Sequence, residues 1–211
     1  LAKFSERTRV LAAMSHDLKT PITRLRLRAE LLEDPGQKAR ITADLDEMQS
    51  MVGGALDFLR GTGSGEPVKP VDVTALLESL QADMQELGGQ VTIVGAAAKP
   101  FAGKPQALKR CLWNLLDNAI KYGKKALVVV RDDNAQLEIR IQDEGPGIPP
   151  SEIGKVFEPF YRVESSRNRE TGGTGLGLSI AKGIAEDHGG RVEVRNRAEG
   201  GLEALLVLPR Q

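Results

Sequence analysis

The sequence predicts two domains: an all-α antiparallel helical hairpin that forms a dimeric four-helix bundle, followed by an α+β sandwich of mixed sheet and helices. Three observations support this prediction. Leucine recurs every seven residues near the amino terminus, glycines dominate residues 61–65, and the rest of the chain mixes helical and strand-like periods. We therefore expect the domains at residues 1–61 and 71–211, joined by a linker at 62–70.

The first domain contains two apolar series separated by the turn signal Asp34-Pro35-Gly36. Both series have the spacing of three and four residues that places side chains on one face of a helix. A single hairpin cannot cover both apolar faces, so we expect a second copy of the chain to complete a four-helix bundle. The first series is Leu11, Met14, Leu18, Ile22, Leu25, Ala29 and Leu32, and the second is Ile41, Leu45, Met48, Val52, Leu56 and Leu59.

The second domain is expected to contain helices and strands in segregated runs, which favours an α+β arrangement over a doubly wound sheet. The segment from 144 to 175 is rich in glycine and polar residues. The predicted helices are 72–87, 105–122, 151–156 and 176–188, and the predicted strands are 91–94, 126–131, 137–142, 191–195 and 203–208.

The composition argues against several classes of function. The 29 basic and 29 acidic residues balance, and aromatic residues make up only 4%, so a nucleic-acid-binding face is not expected. The single cysteine, Cys111, excludes an intrachain disulfide, and its apolar neighbours favour a buried structural thiol. No apolar run approaches the roughly 18–20 residues that span a bilayer. The chain begins at Leu1 without a methionine, so we treat it as part of a longer protein.

His16 is the first candidate for chemistry. With about 100° of rotation per helical residue, its side chain lies about 160° from Leu18 and about 140° from Leu11. It therefore points away from the apolar series, toward solvent or another domain. Thr20 shares this face one turn later, and Asp17 is the adjacent residue. Taken alone, a histidine exposed on a helix is usually only an exposed histidine.

A polar face on the predicted helix at 105–122 is the second candidate. Asn114, Asn118 and Lys121 fall at i, i+4 and i+7 and share one side of the helix. Amide oxygens suit a hard cation such as Mg²⁺, and the nearby ammonium group suits phosphate. The alternative is a merely amphipathic helix, although such a helix more often carries glutamate, lysine and arginine than two asparagines.

Two glycine-rich segments complete the candidate set. The strand at 137–142 runs into Asp143, whose carboxylate can accept a hydrogen bond from an adenine amino group. Gly145 and Gly147 permit close backbone approach, although turn chemistry alone explains this segment equally well. The segment 172–178 precedes a helix and exposes amides suited to phosphate, but it is neither a P-loop nor a convincing dinucleotide fingerprint.

Together, and in this order, these segments resemble the motifs of the histidine kinase family. The resemblance covers nearly the whole chain, and residues 15–30 are most similar to the osmosensor-type (EnvZ-like) subclass. It implies a second domain of the GHKL (Bergerat) type. The matching segments are Ser15–Pro21 for the phosphoacceptor motif, Asn114–Lys121 for the asparagine box, Asp143–Gly147 for the first glycine box, Phe157–Arg162 for the phenylalanine box and Gly173–Gly177 for the second glycine box.

The resemblance implies a sensor histidine kinase of a two-component system, an ATP-dependent protein-histidine phosphotransferase. His16 would accept the γ-phosphoryl group of ATP and pass it to an aspartate of a response regulator. Asp17 would act as the general base that keeps the imidazole neutral and nucleophilic. Thr20 would position water when the phosphorylated regulator is dephosphorylated, which gives the protein an opposing phosphatase activity.

The same resemblance implies ATP and Mg²⁺ as cofactors. Asn118, together with Asn114, would bind Mg²⁺, and Asp143 would bind adenine. Lys121 and Arg162 would offset the charge of the phosphates. The full set of implied cofactor-binding residues is Asn114, Asn118, Lys121, Tyr122, Asp143, Gly145, Gly147, Ile148, Phe157, Arg162, Gly173, Thr174, Gly175, Leu176, Gly177 and Leu178.

The implied partners are a second copy of the chain and a response regulator of the winged-helix (OmpR-like) type, with no nucleic acid. We expect this part of the protein in the cytoplasm. The parent protein is expected in the bacterial inner membrane, which it would reach only through segments upstream of Leu1.

Two departures from the family pattern and two alternative functions accompany this prediction. Lys104 stands where many relatives carry an acidic helix cap, which predicts a weak helix start. Leu202-Glu203-Ala204 replaces a threonine often found near adenine.

The same nucleotide fold serves chaperone, mismatch-repair and topoisomerase ATPases, but these carry a water-activating glutamate where this chain has Asn114. A dimerising scaffold that binds nucleotide without transfer is the non-enzymatic alternative.

Overall fold

The structure, a computed structural model, describes residues 20–59, 65–163 and 173–210. His16 and Asp17 lie outside the described residues, as do Leu11, Met14 and Leu18 of the first apolar series. Helix α1 is described over residues 20–30, and helix α2 covers Pro35–Leu59. The turn between them is closed by Asp34, whose Oδ1 accepts a hydrogen bond from the amide of Gly36 at 2.8 Å.

Helices α1 and α2 pack against each other as an antiparallel hairpin. Lys38 pairs with Glu30 at 2.6 Å near the turn, whereas Arg26 bonds to Asp46 and Gln49 further along both helices. The apolar side chains between the helices are Ile22, Ala29 and Leu45, which are buried, and Leu32 and Val52, which are partly buried.

The hairpin leaves apolar side chains uncovered on the single chain. Leu25, Ile41 and Met48 belong to the predicted apolar series, yet each is 40–46% exposed. Burial of such side chains is worth on the order of 1.5–3 kcal/mol each. These three positions are therefore available to a second hairpin.

A five-stranded sheet with the order β2-β4-β5-β7-β6 forms the second domain. Strand β2 runs parallel to β4, and the other neighbouring strands are antiparallel. Alternate residues of β5, namely Leu137, Ile139 and Ile141, are at most 1% exposed. The strand bounds are β2 Gln90–Val94, β4 Lys125–Asp132, β5 Gln136–Asp143, β6 Arg191–Asn196 and β7 Leu202–Pro209.

Three helices pack against the apolar side of this sheet: α3 (Val73–Glu86), α4 (Pro105–Gly123) and α5 (Gly177–Asp187). Cys111 of α4 is fully buried and its thiol contacts the carbonyl of Ala181 in α5 at 3.6 Å. Burial raises the pKa of this thiol to about 12, so it stays protonated. The predicted α+β class is confirmed, because helices and a mixed sheet form two layers around one core.

Two local elements differ from the sequence-based prediction. A two-stranded sheet of β1 (Lys69–Val71) and β3 (Phe101–Gly103) was not predicted, because strands of three residues show no clear alternation. The short helix expected at 151–156 is wrong, since this segment is a series of turns. Proline on both sides and Gly154 within the segment favour turns over a continuous helix.

The start of α4 is capped by a residue distant in sequence. Lys104 at the N-cap makes no side-chain capping hydrogen bond. Instead, the two carboxylate oxygens of Glu66 accept from the amides of Gln106 at 2.7 Å and Ala107 at 3.1 Å. The weak start expected from Lys104 is therefore offset, because a carboxylate at a helix N-terminus satisfies open amides and complements the helix dipole.

Within the described residues, no helix combines the length and the apolar character that crossing a bilayer requires.

Candidate functional site

A cavity of about 870 Å³ lies between α4, the ends of β5 and β7, and the loops at 145–148 and 161–163. This volume is in the range of small-molecule and cofactor sites. The wall contains most of the residues predicted to bind a cofactor: Asn114, Asn118, Lys121, Tyr122, Asp143, Gly145, Gly147, Ile148, Arg162, Gly173, Thr174, Gly175, Leu176, Gly177 and Leu178.

Asp143 is a buried carboxylate at one end of the cavity, with only 6% of its surface exposed. Its Oδ1 accepts hydrogen bonds from the amides of Gly145 at 2.8 Å and Leu202 at 3.1 Å. Burial raises the pKa of Asp143, and these two hydrogen bonds only partly oppose that effect. Both bonds use the same oxygen, so Oδ2 is left to accept from a ligand in the cavity.

The loop after Asp143 is held in place by Asn196 at the end of β6. Gly147 has a φ of +73°, and a Cβ atom there would lie 2.7 Å from Oδ1 of Asn196. Asn196 accepts from the amide of Ile148 at 2.8 Å and donates to its carbonyl at 2.7 Å. Asn196 was not predicted as a site residue, because nothing in the sequence links the end of β6 to this loop.

Apolar side chains form a slot beside Asp143. Ala119 of α4, Ile141 of β5, and Leu202 and Ala204 of β7 all line the cavity. Because the slot combines apolar walls with one buried acceptor, it suits a flat, mostly apolar ring that carries an amino group. Ala204 contributes no hydroxyl, which agrees with the departure noted in the sequence.

The two asparagines of α4 face the amino-terminal end of α5. A Cβ atom at Gly177 would lie 3.5 Å from Oδ1 of Asn114 and 3.7 Å from Nδ2 of Asn118. Leu176 is the N-cap of α5 and makes no side-chain capping hydrogen bond, so the cap leaves amides of the first turn open. Gly177 and Leu178 of this turn line the cavity. This arrangement suits an anionic group.

Asn114 carries a further sign that this region holds a ligand. Its Nδ2 atom is buried and has no hydrogen-bond partner among the described residues. An unsatisfied buried donor costs about 1–3 kcal/mol, which a bound oxygen ligand would offset. Nowhere in the described residues do three or more His, Cys, Asp or Glu side chains cluster as metal ligands. A cation here would depend on amide oxygens and on the ligand itself.

Among the described residues, three cationic side chains line the cavity: Arg110, Lys121 and Arg162. Lys121 pairs with Asp117 at 2.6 Å, so a carboxylate already offsets part of its charge. Arg110 was missed by the motif-based prediction. Its position, four residues before Asn114, continues the polar face of α4 and could have revealed it.

Phe157 is the one implied cofactor-binding residue that the structure does not place in the cavity wall. Its ring packs against the core and lies 5.4 Å below the ammonium group of Lys182. Its neighbours Phe160 and Tyr161 instead contact the second glycine segment. The amide of Phe160 donates to the carbonyl of Gly175 at 3.0 Å, and Gly175 has a φ of +69°.

The proposed catalytic residues lie mainly outside the described part of the chain. Of His16, Asp17 and Thr20, only Thr20 is described; it is exposed and is the first described residue of α1. Gly53 of α2, in the described part of the hairpin, contributes to the cavity wall.

Comparisons with known proteins identify both halves of the chain. Residues 6–63 match the family model of the His kinase A (phospho-acceptor) domain. Residues 103–211 match the histidine kinase-, DNA gyrase B- and HSP90-like ATPase family. The chain belongs to the sensor histidine kinases.

Similar proteins support this assignment over nearly the whole chain. The sensor histidine kinase GtrS of Pseudomonas aeruginosa is 47% identical over 98% of the chain, and CpxA of Escherichia coli is 31% identical over 95%. The chain spans 42% and 46% of these two relatives, which is less than half of their length. The solved structure of full-length ShkA in complex with AMPPNP matches 96% of the chain with a TM-score of 0.71 and 27% identity. The family predicted from the sequence is thus confirmed.

Proposed function

We propose that this kinase binds ATP in the cavity beside α4, transfers the γ-phosphoryl group to His16, and then passes it to an aspartate of a response regulator. The observation that carries the proposal is the shape of the cavity. It has a buried acceptor, Asp143, at one end, and Asn114 and Asn118 opposite the amino-terminal end of α5 at the other. The His kinase A segment at 6–63 contains the histidine that would receive the group.

At one end, Asp143 binds adenine. Its Oδ2 accepts a hydrogen bond from the amino group of the base, while Gly145 and Leu202 hold Oδ1 in place. The ring lies between apolar side chains such as Ala119 and Ala204, with the loop at 145–148 along its edge. Binding by a fixed acceptor favours adenine over bases that lack an amino group at that position.

At the other end, the phosphates lie between α4 and the segment 173–178. Asn118 and Asn114 hold Mg²⁺ through their amide oxygens, and Lys121 and Arg162 offset phosphate charge. Mg²⁺ bound with ATP would supply positive charge that offsets the negative charge developing on the phosphates during transfer. The backbone amides at the start of α5 contribute further donors.

In the transfer step, the lone pair of one imidazole nitrogen of His16 attacks the γ-phosphorus. The bond from phosphorus to the β–γ bridging oxygen breaks, and ADP leaves with that electron pair. Asp17 accepts the hydrogen bond, and then the proton, of the other ring nitrogen, so the attacking nitrogen stays nucleophilic. Transfer in the forward direction then moves the group from His16 to a carboxylate of the regulator.

Hydrolysis of ATP is the competing activity, and the cavity does not favour it. The carboxylates that line the described cavity wall are Asp117 and Asp143. Asp117 pairs with Lys121, and Asp143 lies at the end opposite Asn114. Because the described wall offers no other carboxylate beside Asn114 to activate water, we expect the γ-phosphoryl group to survive for transfer to His16.

The remaining assignments complete the proposal. The hairpin at 1–61 forms a homodimer through the side chains that one chain leaves exposed, and the linker at 62–70 joins it to the nucleotide-binding domain at 71–211. The partner is a winged-helix (OmpR-like) response regulator, as in the EnvZ-like subclass.

Thr20, exposed on α1, positions water for dephosphorylation of that regulator. The parent protein lies in the bacterial inner membrane, with this part in the cytoplasm.

Incubation with γ-labelled ATP and Mg²⁺ tests the proposal. We expect label in an acid-labile, alkali-stable form that is absent from His16→Gln. Asn118→Asp should lose the label while the protein remains folded and dimeric, since the substitution places a like charge beside the phosphates. Label that persists in His16→Gln would refute the assignment of the phosphoacceptor.

A further inference from the structure

Arg110 lines the same cavity as the asparagines, but none of the recognised motifs contains it. It lies four residues before Asn114, and so one turn earlier on the same face of α4. One of its guanidinium nitrogens, Nη2, is buried. A cation withdrawn from solvent in a cavity wall interacts more strongly with an anion than a surface cation does.

The length of α4 shows which part of the nucleotide Arg110 reaches. Gly123, at the carboxyl end of α4, faces Asp143, because a Cβ atom there would lie 2.7 Å from that of Asp143. Asn118 and Asn114 come next and face Gly177. Arg110 lies about 6 Å beyond Asn114 and about 20 Å from Gly123, at 1.5 Å of rise per residue. It is therefore at the end opposite the adenine acceptor.

The other two cations of the described cavity wall come from different places in the fold. Lys121 is on the adenine side of both asparagines and pairs with Asp117 at 2.6 Å. Arg162 projects from the loop at 161–163 and not from α4. A guanidinium group can donate two parallel hydrogen bonds to one phosphate, which an ammonium group does not do.

We propose that Arg110 binds the terminal phosphate of ATP and stabilises the charge on the phosphoryl group while it moves to the histidine. This inference rests on the proposed function, since Asp143 defines the adenine end. Arg110 then contacts a group that ATP has and ADP lacks. It contributes to the discrimination between the two nucleotides and to the rate of transfer, and it contributes little to the binding of adenine.

The test compares the affinities of Arg110→Gln for ADP and for a non-hydrolysable ATP analogue, measured by calorimetry on the whole chain with Mg²⁺. We expect affinity for ADP within about twofold of the unsubstituted protein. Affinity for the ATP analogue should fall roughly tenfold or more, the loss expected for a charged hydrogen bond. The rate of autophosphorylation at saturating ATP should fall on the order of 100-fold.

Lys109→Gln is the matched control. Lys109 is adjacent in sequence, does not line the cavity, and lies 3.8 Å from Asp83. Both affinities and the rate should be unchanged. Should Arg110→Gln fail to fold, Arg110→Lys carries the same test, because lysine keeps the charge but loses the paired hydrogen bonds. The ratio of ATP-analogue to ADP affinity should then still fall several-fold.

Two results would overturn the inference. Equal losses of ADP and ATP-analogue affinity would mean that Arg110 only supports the structure of α4. Affinities for ADP and for the ATP analogue that both stay unchanged in Arg110→Gln would mean that the terminal phosphate lies elsewhere. Failure of the proposed function would look different, since the unsubstituted protein itself would then bind neither nucleotide or leave His16 unlabelled.

Discussion

Two aspartates at opposite ends of the β4–β5 ladder have pKa values that are shifted in opposite directions. Asp132 ends β4, and its side chain is 2% exposed and pairs with Arg210, which is 5% exposed. The hydrogen bond from Arg210 lowers the pKa of Asp132 and outweighs the effect of burial. Asp143 ends β5, and its burial raises its pKa, because the amides of Gly145 and Leu202 and the nearby charge of Arg197 only partly oppose that effect.

The difference separates a structural carboxylate from a ligand-binding one. Both oxygens of Asp132 are used: Oδ1 accepts from Nε of Arg210 at 2.6 Å, and Oδ2 accepts from Arg210 and the amide of Ala98. Arg210 also donates to the carbonyl of Lys99 at 2.9 Å, so this pair joins the end of the chain to the loop before β3. Asp143 keeps one oxygen for the cavity. A buried charge without a full set of partners is typical of a functional site.

The largest expected effect is on folding. Asp132→Asn removes the charge that compensates Arg210 and should lower the free energy of unfolding by about 3–5 kcal/mol, the cost of breaking a buried ion pair. Nucleotide affinity, measured under conditions where the variant is still folded, should be unchanged. Denaturant titration and calorimetry measure the two quantities. A loss of nucleotide affinity without a loss of stability would contradict the structural assignment of Asp132.

The next effect is on binding. Asp143→Asn replaces the acceptor that adenine needs. The binding of ATP should weaken by about 1.5–3 kcal/mol, the value for a charged hydrogen bond. The free energy of unfolding without nucleotide should stay the same or rise, because a buried charge is removed. If this variant unfolded while the remaining folded fraction bound ATP normally, the roles assigned to the two aspartates would have to be exchanged.

Acidification of the unsubstituted protein sharpens the same comparison. Since the pKa of Asp143 is raised above 3.8, its carboxylate is protonated first as the pH falls, and nucleotide affinity declines there. The stabilisation from Asp132 is present above 3.8 and is lost only as the pH falls through its lowered pKa. As the pH is lowered, nucleotide affinity should therefore begin to fall at a higher pH than the pH at which the melting temperature begins to fall. The pH profile of Asp143→Asn provides the baseline for protonation of the nucleotide itself.

The smallest effect concerns the start of α4. Glu66→Gln weakens the cap on the amides of Gln106 and Ala107 and should cost about 0.5–2 kcal/mol of stability. Adding Lys104→Asp places a carboxylate at the N-cap itself and should restore much of the loss, although it removes the ion pair of Lys104 with Asp187. Thermal melts of the single and double variants measure this. No recovery in the double variant would mean that Glu66 acts through contacts other than the cap.

Sequence patterns predicted those parts of the molecule whose causes are local. The long amphipathic helix α4 and the alternating strand β5 were predicted to within one or two residues, because periodicity determines which face is buried. The shared face of Asn114 and Asn118 followed from helical spacing alone. Asp143 was recognised only together with the glycines that follow it.

Contacts between distant segments could not be read in this way. The cap on α4 comes from Glu66, 40 residues away, and Asn196 holds Ile148 across 48 residues. No local pattern links such pairs. Conversely, a motif does not determine where each of its side chains packs. The motif of Phe157 implied that this residue binds the cofactor, whereas its ring packs against the core beside Lys182. Helical spacing places Arg110 on the same face as Asn114, but Arg110 lies outside the motif from which that face was predicted.

The fate of the γ-phosphoryl group tests the central claim most directly. In a single-turnover reaction with γ-labelled ATP and Mg²⁺, phosphohistidine at His16 and free phosphate are measured side by side. We expect nearly all label lost from ATP to be found on His16, and we expect His16→Gln to leave ATP intact. Release of free phosphate at the same rate from both proteins would contradict it, because the cavity would then belong to a hydrolase.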